Sequence, residues 1–209
     1  MIDISVLLEN KESIEELANK LNHDDIAFLV SLLGEKDDRI RYAAFLLMQK
    51  RSENFSDVYP YWKDFLNKLA DENSYQRSIG IILIAENVKW DKDKLFGASF
   101  NTFMSHCTDD KFITSRQTIQ SIPKWAKYDP ENLNDAVSIL TSIDVSKFKE
   151  SQQKLILIDI LNALIAIQEI QPSDIITQYL SKAITGSILD KKSIKQFQNL
   201  LQKIYCKEV

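Results

Sequence analysis

The chain has 209 residues, 44% of them hydrophobic, with four glycines and four prolines. This scarcity of turn-forming residues disfavours β-rich folds and favours helices joined by short connections. The formal net charge of −4, with no basic run, disfavours a nucleic-acid-binding protein, because such proteins neutralise phosphates with lysine and arginine.

Neither a secretory leader nor a membrane span is predicted. The first nine residues carry an acid where a signal peptide has a positive charge, and their apolar stretch is too short. Residues 155–167 form the most apolar segment, but Asp159 interrupts it and it is shorter than a membrane span. Cys107 and Cys206 are too far apart in sequence for a CxxC site, and two reduced thiols are typical of the cytosol. We therefore expect a soluble cytoplasmic protein without membrane contact.

Amphipathic periodicity predicts helices along the chain, without the alternation typical of strands. Five of these helices are predicted over residues 13–21, 24–33, 57–70, 93–107 and 191–205. Two more lie between residues 107 and 191 and begin at Asp129-Pro130 and at Pro172-Ser173-Asp174. Four longer and more apolar helical segments lie between them.

The four longer segments repeat one pattern, in which a polar turn is followed by a basic residue and an apolar helix. The basic residues are Arg41, Arg77, Arg116 and Lys154, at spacings of 36, 39 and 38 positions. In this register an apolar or small pair recurs at i and i+3, which places both side chains on one helix face. The pairs are Ala44/Leu47, Gly80/Leu83, Ile119/Ile122 and Leu157/Ile160. Periods of about 36–40 residues are typical of two-helix repeats, and the small Ala44 and Gly80 are predicted to allow close helix approach.

Residues 38–47, Asp-Arg-Ile-Arg-Tyr-Ala-Ala-Phe-Leu-Leu, resemble the second helix of a HEAT repeat. In that family an acidic turn residue precedes an aliphatic residue and arginine, and then alanine and leucine follow at helical spacing. With the repeat pattern, the resemblance predicts an all-α fold, an α-α superhelix (a HEAT/armadillo-like solenoid) of about five helix pairs. A single domain would cover residues 1–209, with an N-terminal cap at 1–22 and repeats at 23–52, 56–89, 92–128, 130–168 and 172–206.

The resemblance also implies a function, because HEAT-like arrays are mostly binding scaffolds whose second helices line a concave face. We therefore predict a non-catalytic scaffold that binds a protein or peptide on this face. Its predicted partner-binding residues are Arg41, Arg77, Arg116 and Lys154, which form a basic row if the repeats stack in register. The alternative interpretation is structural, with each basic residue paired to a turn carboxylate such as Asp38 or Asp110.

Residues 111–140, with Trp125 and the Asp129-Pro130 turn, are similar in layout to a repeat of the HEAT-like DNA alkylation-repair glycosylases. This resemblance implies, as an alternative function, a DNA-binding base-excision repair enzyme. The paired arginine and tryptophan motifs of that family have no match here, so no catalytic residue is assigned. A further alternative is a structural subunit of a larger complex, which would make its contacts through an apolar outer face.

The candidate catalytic and metal-binding groups have simpler structural interpretations. His106 and Cys107 are adjacent, and neighbours on a helix point about 100° apart, so a helix end explains them better than a thiolate with its base. His23, Asp24 and Asp25 lack the further nitrogen or sulfur ligands of a zinc site, and helix capping accounts for the acids. We expect no metal and no cofactor.

Two further features concern the surface. Asp159 and Asn162 are favoured to face solvent on a polar stripe, because an unpaired buried carboxylate costs several kcal/mol. A buried polar site is the alternative. Trp62, Trp90 and Trp125 are interpreted as core residues or as packing between repeats. An exposed aromatic pair would instead mark a protein-binding hot spot.

Overall fold

The computed structural model describes residues 2–9 and 13–207, without the side chains of Val6, Leu7, Glu9 and residues 203–207. Within these ranges every regular element is a helix, so the fold is all-α as predicted. The chain falls into two compact units, Met1–Phe103 and Met104–Val209. The predicted single domain over residues 1–209 stays a prediction. Two predictions, the reduced thiol of Cys206 and the apolar contact of Ile204, concern side chains outside those that the structure describes.

Unit 1 is built from short and medium-length helices. Its elements are α1 (Ile4–Glu9), α2 (Ile14–Lys20), α3 (His23–Leu32), α4 (Asp38–Ser52), α5 (Trp62–Leu69), α6 (Ser74–Asn87) and most of α7 (Leu95–Ser105), with short 3-10 helices at Tyr59–Tyr61 and Val88–Trp90. The helices predicted at 13–21, 24–33, 57–70 and 93–107 are therefore present with slightly different ends. Helix α1 has no counterpart in the prediction.

Local side chains fix where these helices begin. Ser13 and Glu16 form a capping box at α2, in which each side chain accepts a hydrogen bond from the backbone N–H of the other at 3.2 Å. Asn22 and Asp25 repeat this arrangement at α3. Asp37 caps α4 by accepting from a backbone N–H two residues along the chain at 2.9 Å. Such caps satisfy backbone donors that the first turn of a helix leaves unpaired.

An aromatic cluster forms part of the core of unit 1. The ring of Phe96 makes edge-to-face contacts with Trp62, Phe100 and Phe103, at centroid distances of 6.4, 6.0 and 5.3 Å. All four side chains are buried. Edge-to-face packing of this kind is the geometry that aromatic rings prefer, and it adds to the burial of their large apolar area.

The contact between α5 and α6 depends on a glycine. A Cβ atom placed on Gly80 would lie 2.6 Å from the carbonyl oxygen of Phe65 and 3.2 Å from a methyl carbon of Leu69. Only a residue without a side chain fits this approach, so the predicted role of Gly80 in close helix packing is confirmed.

Unit 2 continues with longer helices and short 3-10 turns. Its α-helices are α8 (Phe112–Trp125), α9 (Leu133–Ser142), α10 (Glu150–Gln168), α11 (Asp174–Thr185) and α12 (Lys191–Lys207), and its 3-10 helices are His106–Thr108, Pro130–Asn132 and Val145–Lys147. Helix α10 packs against α8, α9 and α11, and α12 packs against α11. The helices predicted to open at Asp129-Pro130 and at Pro172-Ser173-Asp174 are both present.

The repeated apolar pairs are buried in both units. All eight members of the pairs at i and i+3 have little or no exposed surface. In unit 1, α4 contacts α6, and in unit 2, α8 contacts α10. The register therefore identifies the packed face of each longer helix correctly. None of the described helices is both long and apolar enough to cross a membrane.

Candidate functional site

The predicted basic row begins with Arg41 in the first turn of α4. Its guanidinium donates to the carbonyl oxygen of Glu35 at 2.7 Å and to the carboxylate of Asp38. It also lies 6.0 Å from the ring centroid of Tyr75 on α6. Its side chain is 13% exposed. Arg41 thus closes the turn before its own helix and supports an aromatic ring on the next long helix of unit 1.

Arg77 closes the turn before α6 in a similar way. Its Nη1 donates to the carbonyl oxygens of Asp71 and Glu72, each at 2.9 Å. The residue is only 9% exposed. A guanidinium held by two turn carbonyls at this depth stabilises the helix connection and presents little surface to a partner.

Arg116 on α8 forms an ion pair with Asp159 on α10. Its Nε and Nη2 donate to the two carboxylate oxygens at 2.5 and 3.2 Å, and the Gln120 amide donates to the same carboxylate at 2.8 Å. The hydrogen bonds to Asp159 raise the pKa of Arg116 above its usual value. Asp159 is 5% exposed, so its favoured solvent-facing interpretation is wrong and it lies in a paired, buried polar site. Asn162, in contrast, is exposed.

Lys154 is the most exposed member of the row. Its Nζ lies 3.0 Å from the carboxylate of Asp190, and both side chains are largely accessible to solvent. Asp190 also accepts from the backbone N–H of Ser193 at the start of α12, and this hydrogen bond, followed by the one from Lys154, lowers the pKa of Asp190. Exposed ion pairs of this kind contribute little to stability.

A side chain near the start of each of three long helices binds a carbonyl oxygen six positions earlier. Arg41 and Arg77 do so in α4 and α6, and the hydroxyl of Ser115 donates to the carbonyl of Asp109 at 3.0 Å in α8. We call these three contacts the turn clasps. The structural interpretation predicted that each basic residue of the row pairs with a turn carboxylate. Arg41 does pair with Asp38, whereas Asp110 lies 3.4 Å from Lys111, which is not a member of the row. Contact between the row and a partner stays a prediction.

Two exposed tyrosines lie beside Arg41. Tyr42 on α4 is 61% exposed, and Tyr75 in the first turn of α6 is 67% exposed. The ring of Tyr42 lies 6.2 Å from that of Phe45, and the guanidinium of Arg41 lies near the ring of Tyr75. We call Arg41, Tyr42 and Tyr75 the tyrosine surface. Neither tyrosine was predicted as a site residue, although their places next to the buried helix face were a usable signal.

The tryptophans do not form such a surface. Trp62 and Trp125 are buried, and Trp90 is half-buried with its indole N–H donating to the carbonyl oxygen of Ser52 at 2.8 Å. Their interpretation as core residues or packing residues is confirmed.

His106 and Cys107 lie in the 3-10 helix before α8. The Nδ1 of His106 lies 3.0 Å from the carboxylate of Asp109, whereas Cys107 is buried and its burial raises the pKa of the thiol to about 12. A thiol with this pKa stays protonated at neutral pH and is a poor nucleophile. The helix-end interpretation of this dipeptide is therefore confirmed.

Possible metal ligands are dispersed. His23 and Asp24 are exposed in the first turn of α3, whereas the buried Asp25 accepts from the backbone N–H groups of Ile2 at 2.5 Å and Asn22 at 2.9 Å. Among the described side chains, no three of His, Cys, Asp and Glu are grouped so that they could hold a metal ion.

An open groove runs between α11 and α12 in unit 2. Its volume is about 790 Å³. Ile184, Ile194 and Leu201 form its apolar part, and Lys191 and Lys195 lie on the α12 side. Sequence analysis did not predict this groove, because its shape depends on how the last two helices pack.

Comparison with known proteins gives a structural likeness only. No protein-family model matches the chain, and no curated protein matches its sequence. The fold is similar to the crystal structure of an engineered protein, a target of the Northeast Structural Genomics Consortium, with a TM-score of 0.53 and 15% sequence identity. The likeness covers 99% of this chain and 98% of that one. At this identity it supports the all-helical fold and carries no information on function.

Proposed function

We propose that this chain is a non-catalytic module that binds a protein or peptide at the tyrosine surface. The observation that carries the proposal is the exposure of Tyr42 and Tyr75 on two long helices that contact each other. Both rings present most of their area to solvent, while the aromatic residues of the neighbouring core are buried. An exposed aromatic pair is a feature of protein-binding hot spots, although the pair predicted from the sequence was sought among the tryptophans.

The chemistry of the tyrosine surface suits protein recognition. Tyrosine and arginine are enriched in binding hot spots, and tyrosine offers a large contact area while only two side-chain rotations are frozen. Arg41 is held by Glu35 and Asp38 and only 13% of its side chain is exposed, so it holds the ring of Tyr75 in place for a partner. A group held in its bound position loses less conformational entropy on binding, which increases affinity.

In this proposal the residues of the basic row mainly stabilise the fold. Arg77 holds a turn in place and Arg116 holds a helix pair in place. Lys154 can exchange its weak, exposed ion pair with Asp190 for a partner's carboxylate. We further propose that the helix pairs are HEAT-like repeats, so that α4, α6, α8 and α10 are the second helices of successive pairs. In the HEAT family such helices line the binding face, so this proposal expects the tyrosine surface to lie on it.

The alternative functions receive less support. A base-excision repair enzyme needs an acid beside an aromatic cleft, but Asp159 is bonded to Arg116 and Gln120 and Trp125 is buried. The exposed large aliphatic side chains of the described helices occur singly, one on each of six helices, so a single apolar outer face of a structural subunit is not favoured either. They are Leu8, Ile14, Leu95, Ile113, Leu155 and Ile175.

The test compares three baits in affinity capture from a lysate of the native host, followed by binding measurements with the purified partner. Besides wild type, the baits are Tyr42→Ala/Tyr75→Ala and the control Tyr128→Ala, which removes an exposed tyrosine in unit 2. Loss of hot-spot residues costs about 2 kcal/mol or more each. We therefore expect the double variant to bind its partner at least ~30-fold more weakly, and the control to bind as wild type does.

Retention of the same partner by the double variant with unchanged affinity would contradict the proposal. Capture of nucleic acid that moderate salt removes would instead favour the repair-enzyme alternative. Charge reversal at Arg77 is a poor test, since it removes a turn clasp and destabilises the helix that carries Tyr75.

A further inference from the structure

The two ends of the sequence carry opposite charge. Residues 1–35 contain eight acids and two lysines, whereas residues 174–207 contain six lysines and two acids. The chain as a whole has a net charge of only −4. The asymmetry is thus concentrated in the first and last helices, which belong to different units.

The last helices present a basic, partly apolar surface. Lys191 and Lys195 are exposed beside the groove between α11 and α12, whose apolar part is formed by Ile184, Ile194 and Leu201. Ile175 and Ile188, at the start of α11 and in the loop after it, are also exposed. We call this the tail surface.

The first helices present an acidic surface that also has exposed aliphatic groups. Glu15 and Asp24 are exposed at the starts of α2 and α3, and Leu8 on α1 and Ile14 on α2 are exposed as well. We call this the head surface. The head surface and the tail surface thus carry opposite charge, and both have exposed aliphatic side chains.

We propose that the tail surface of one molecule binds the head surface of a second copy of the same chain. Acids on the head face lysines on the tail, and aliphatic side chains of the head enter the groove between α11 and α12. The contact is head-to-tail, so it produces a ring if the rotation between copies closes and an open chain if it does not. It does not depend on the tyrosine surface and stands whether or not that surface binds a partner.

The test measures the mass of the full chain by light scattering over a wide range of protein concentration, at low and high salt. We expect the mass of wild type to rise above its monomer value of 24.1 kDa as the concentration increases. Salt should weaken the association, since it screens exposed charges. Circular dichroism is used to check that each variant is folded.

Two charge-reversed variants identify the surfaces. The tail variant is Lys191→Glu/Lys195→Glu, and the head variant is Glu15→Lys/Asp24→Lys. Each places like charges opposite one another, so the concentration needed for association should rise about tenfold or more. An equimolar mixture of the two should associate again, because each reversed surface then meets its complement. The control Lys147→Glu/Lys149→Glu makes the same charge change at exposed lysines of unit 2 and should behave as wild type.

Several results would overturn the proposal. A wild type that keeps the monomer mass at all concentrations would do so, as would a tail variant that associates like wild type. Failure of the mixed variants to associate would show that charge matching between head and tail is not the cause. A monomeric wild type that binds DNA through Lys191 and Lys195 in a mobility-shift assay would show that the tail surface recognises phosphate instead.

Discussion

We predict that Gly80→Ala destabilises the protein, although alanine forms helices better than glycine. The added Cβ would lie 2.6 Å from the carbonyl oxygen of Phe65 and 3.0 Å from the Cβ of Lys68, whereas ordinary contact begins at 3.4 Å. The obstructing oxygen belongs to the backbone, so α5 has to move away from α6. Helix propensity favours alanine by about 1 kcal/mol, but overpacking costs about 1–3 kcal/mol and more where backbone shifts. We expect a net loss of about 1–2 kcal/mol in the free energy of unfolding.

Urea denaturation followed by circular dichroism measures this loss. Gly80→Val should lose more, because it adds two further methyl groups against the same oxygen and is a poorer helix former. Gly34→Ala is the control, since no atom lies within 4 Å of its added Cβ, and it should stay within about 0.5 kcal/mol of wild type. A Gly80→Ala protein as stable as wild type would refute the argument that α5 and α6 are packed too closely for a side chain.

Two further predictions concern buried groups of unit 2. Asp159→Ala leaves Arg116 without its carboxylate, and because that guanidinium is partly exposed we expect a loss of about 2 kcal/mol rather than the 3–5 kcal/mol of a fully buried pair. In urea denaturation the exposed Asn162→Ala should lose much less, and equal losses would contradict the argument. Cys107 has a pKa raised to about 12 in the folded state from 9.0, so between those pH values only the unfolded chain releases the proton. The stability of wild type relative to Cys107→Val should therefore fall as the pH rises through this range, and a constant difference would show that the thiol ionises equally in both states.

Much of the fold could be predicted because its signals are local. The spacing of apolar residues within a helix is set by a few neighbouring positions, and it identified the buried pairs of all four longer helices. Capping residues such as Asp37 mark helix starts for the same reason. Helix α1, Ile4–Glu9, was missed because a helix of six residues is too short to show a period.

The candidate site was less predictable, because it depends on contacts between distant positions. Asp159 pairs with Arg116, which lies 43 residues earlier on another helix. Since this pairing cannot be seen in the sequence, the cost of burying an unpaired carboxylate led to the prediction that Asp159 faces solvent. The exposure of Tyr42 and Tyr75 likewise depends on which side of α4 meets α6. Arg41 and Arg77 make equivalent contacts, but in α8 this contact comes from Ser115 and not from Arg116, and the acceptors of these side chains were not predicted.

The turn clasps also limit how the length of this protein can vary. Each clasp joins a side chain to a carbonyl six residues earlier, as from Arg77 to Asp71. If one residue is added or removed in the helical part of such a span, the donor side chain rotates by about 100° around the helix axis relative to the acceptor carbonyl. The hydrogen bond is then lost. We therefore expect insertions, grafted peptides and fusion points to be tolerated only outside residues 35–41, 71–77 and 109–115.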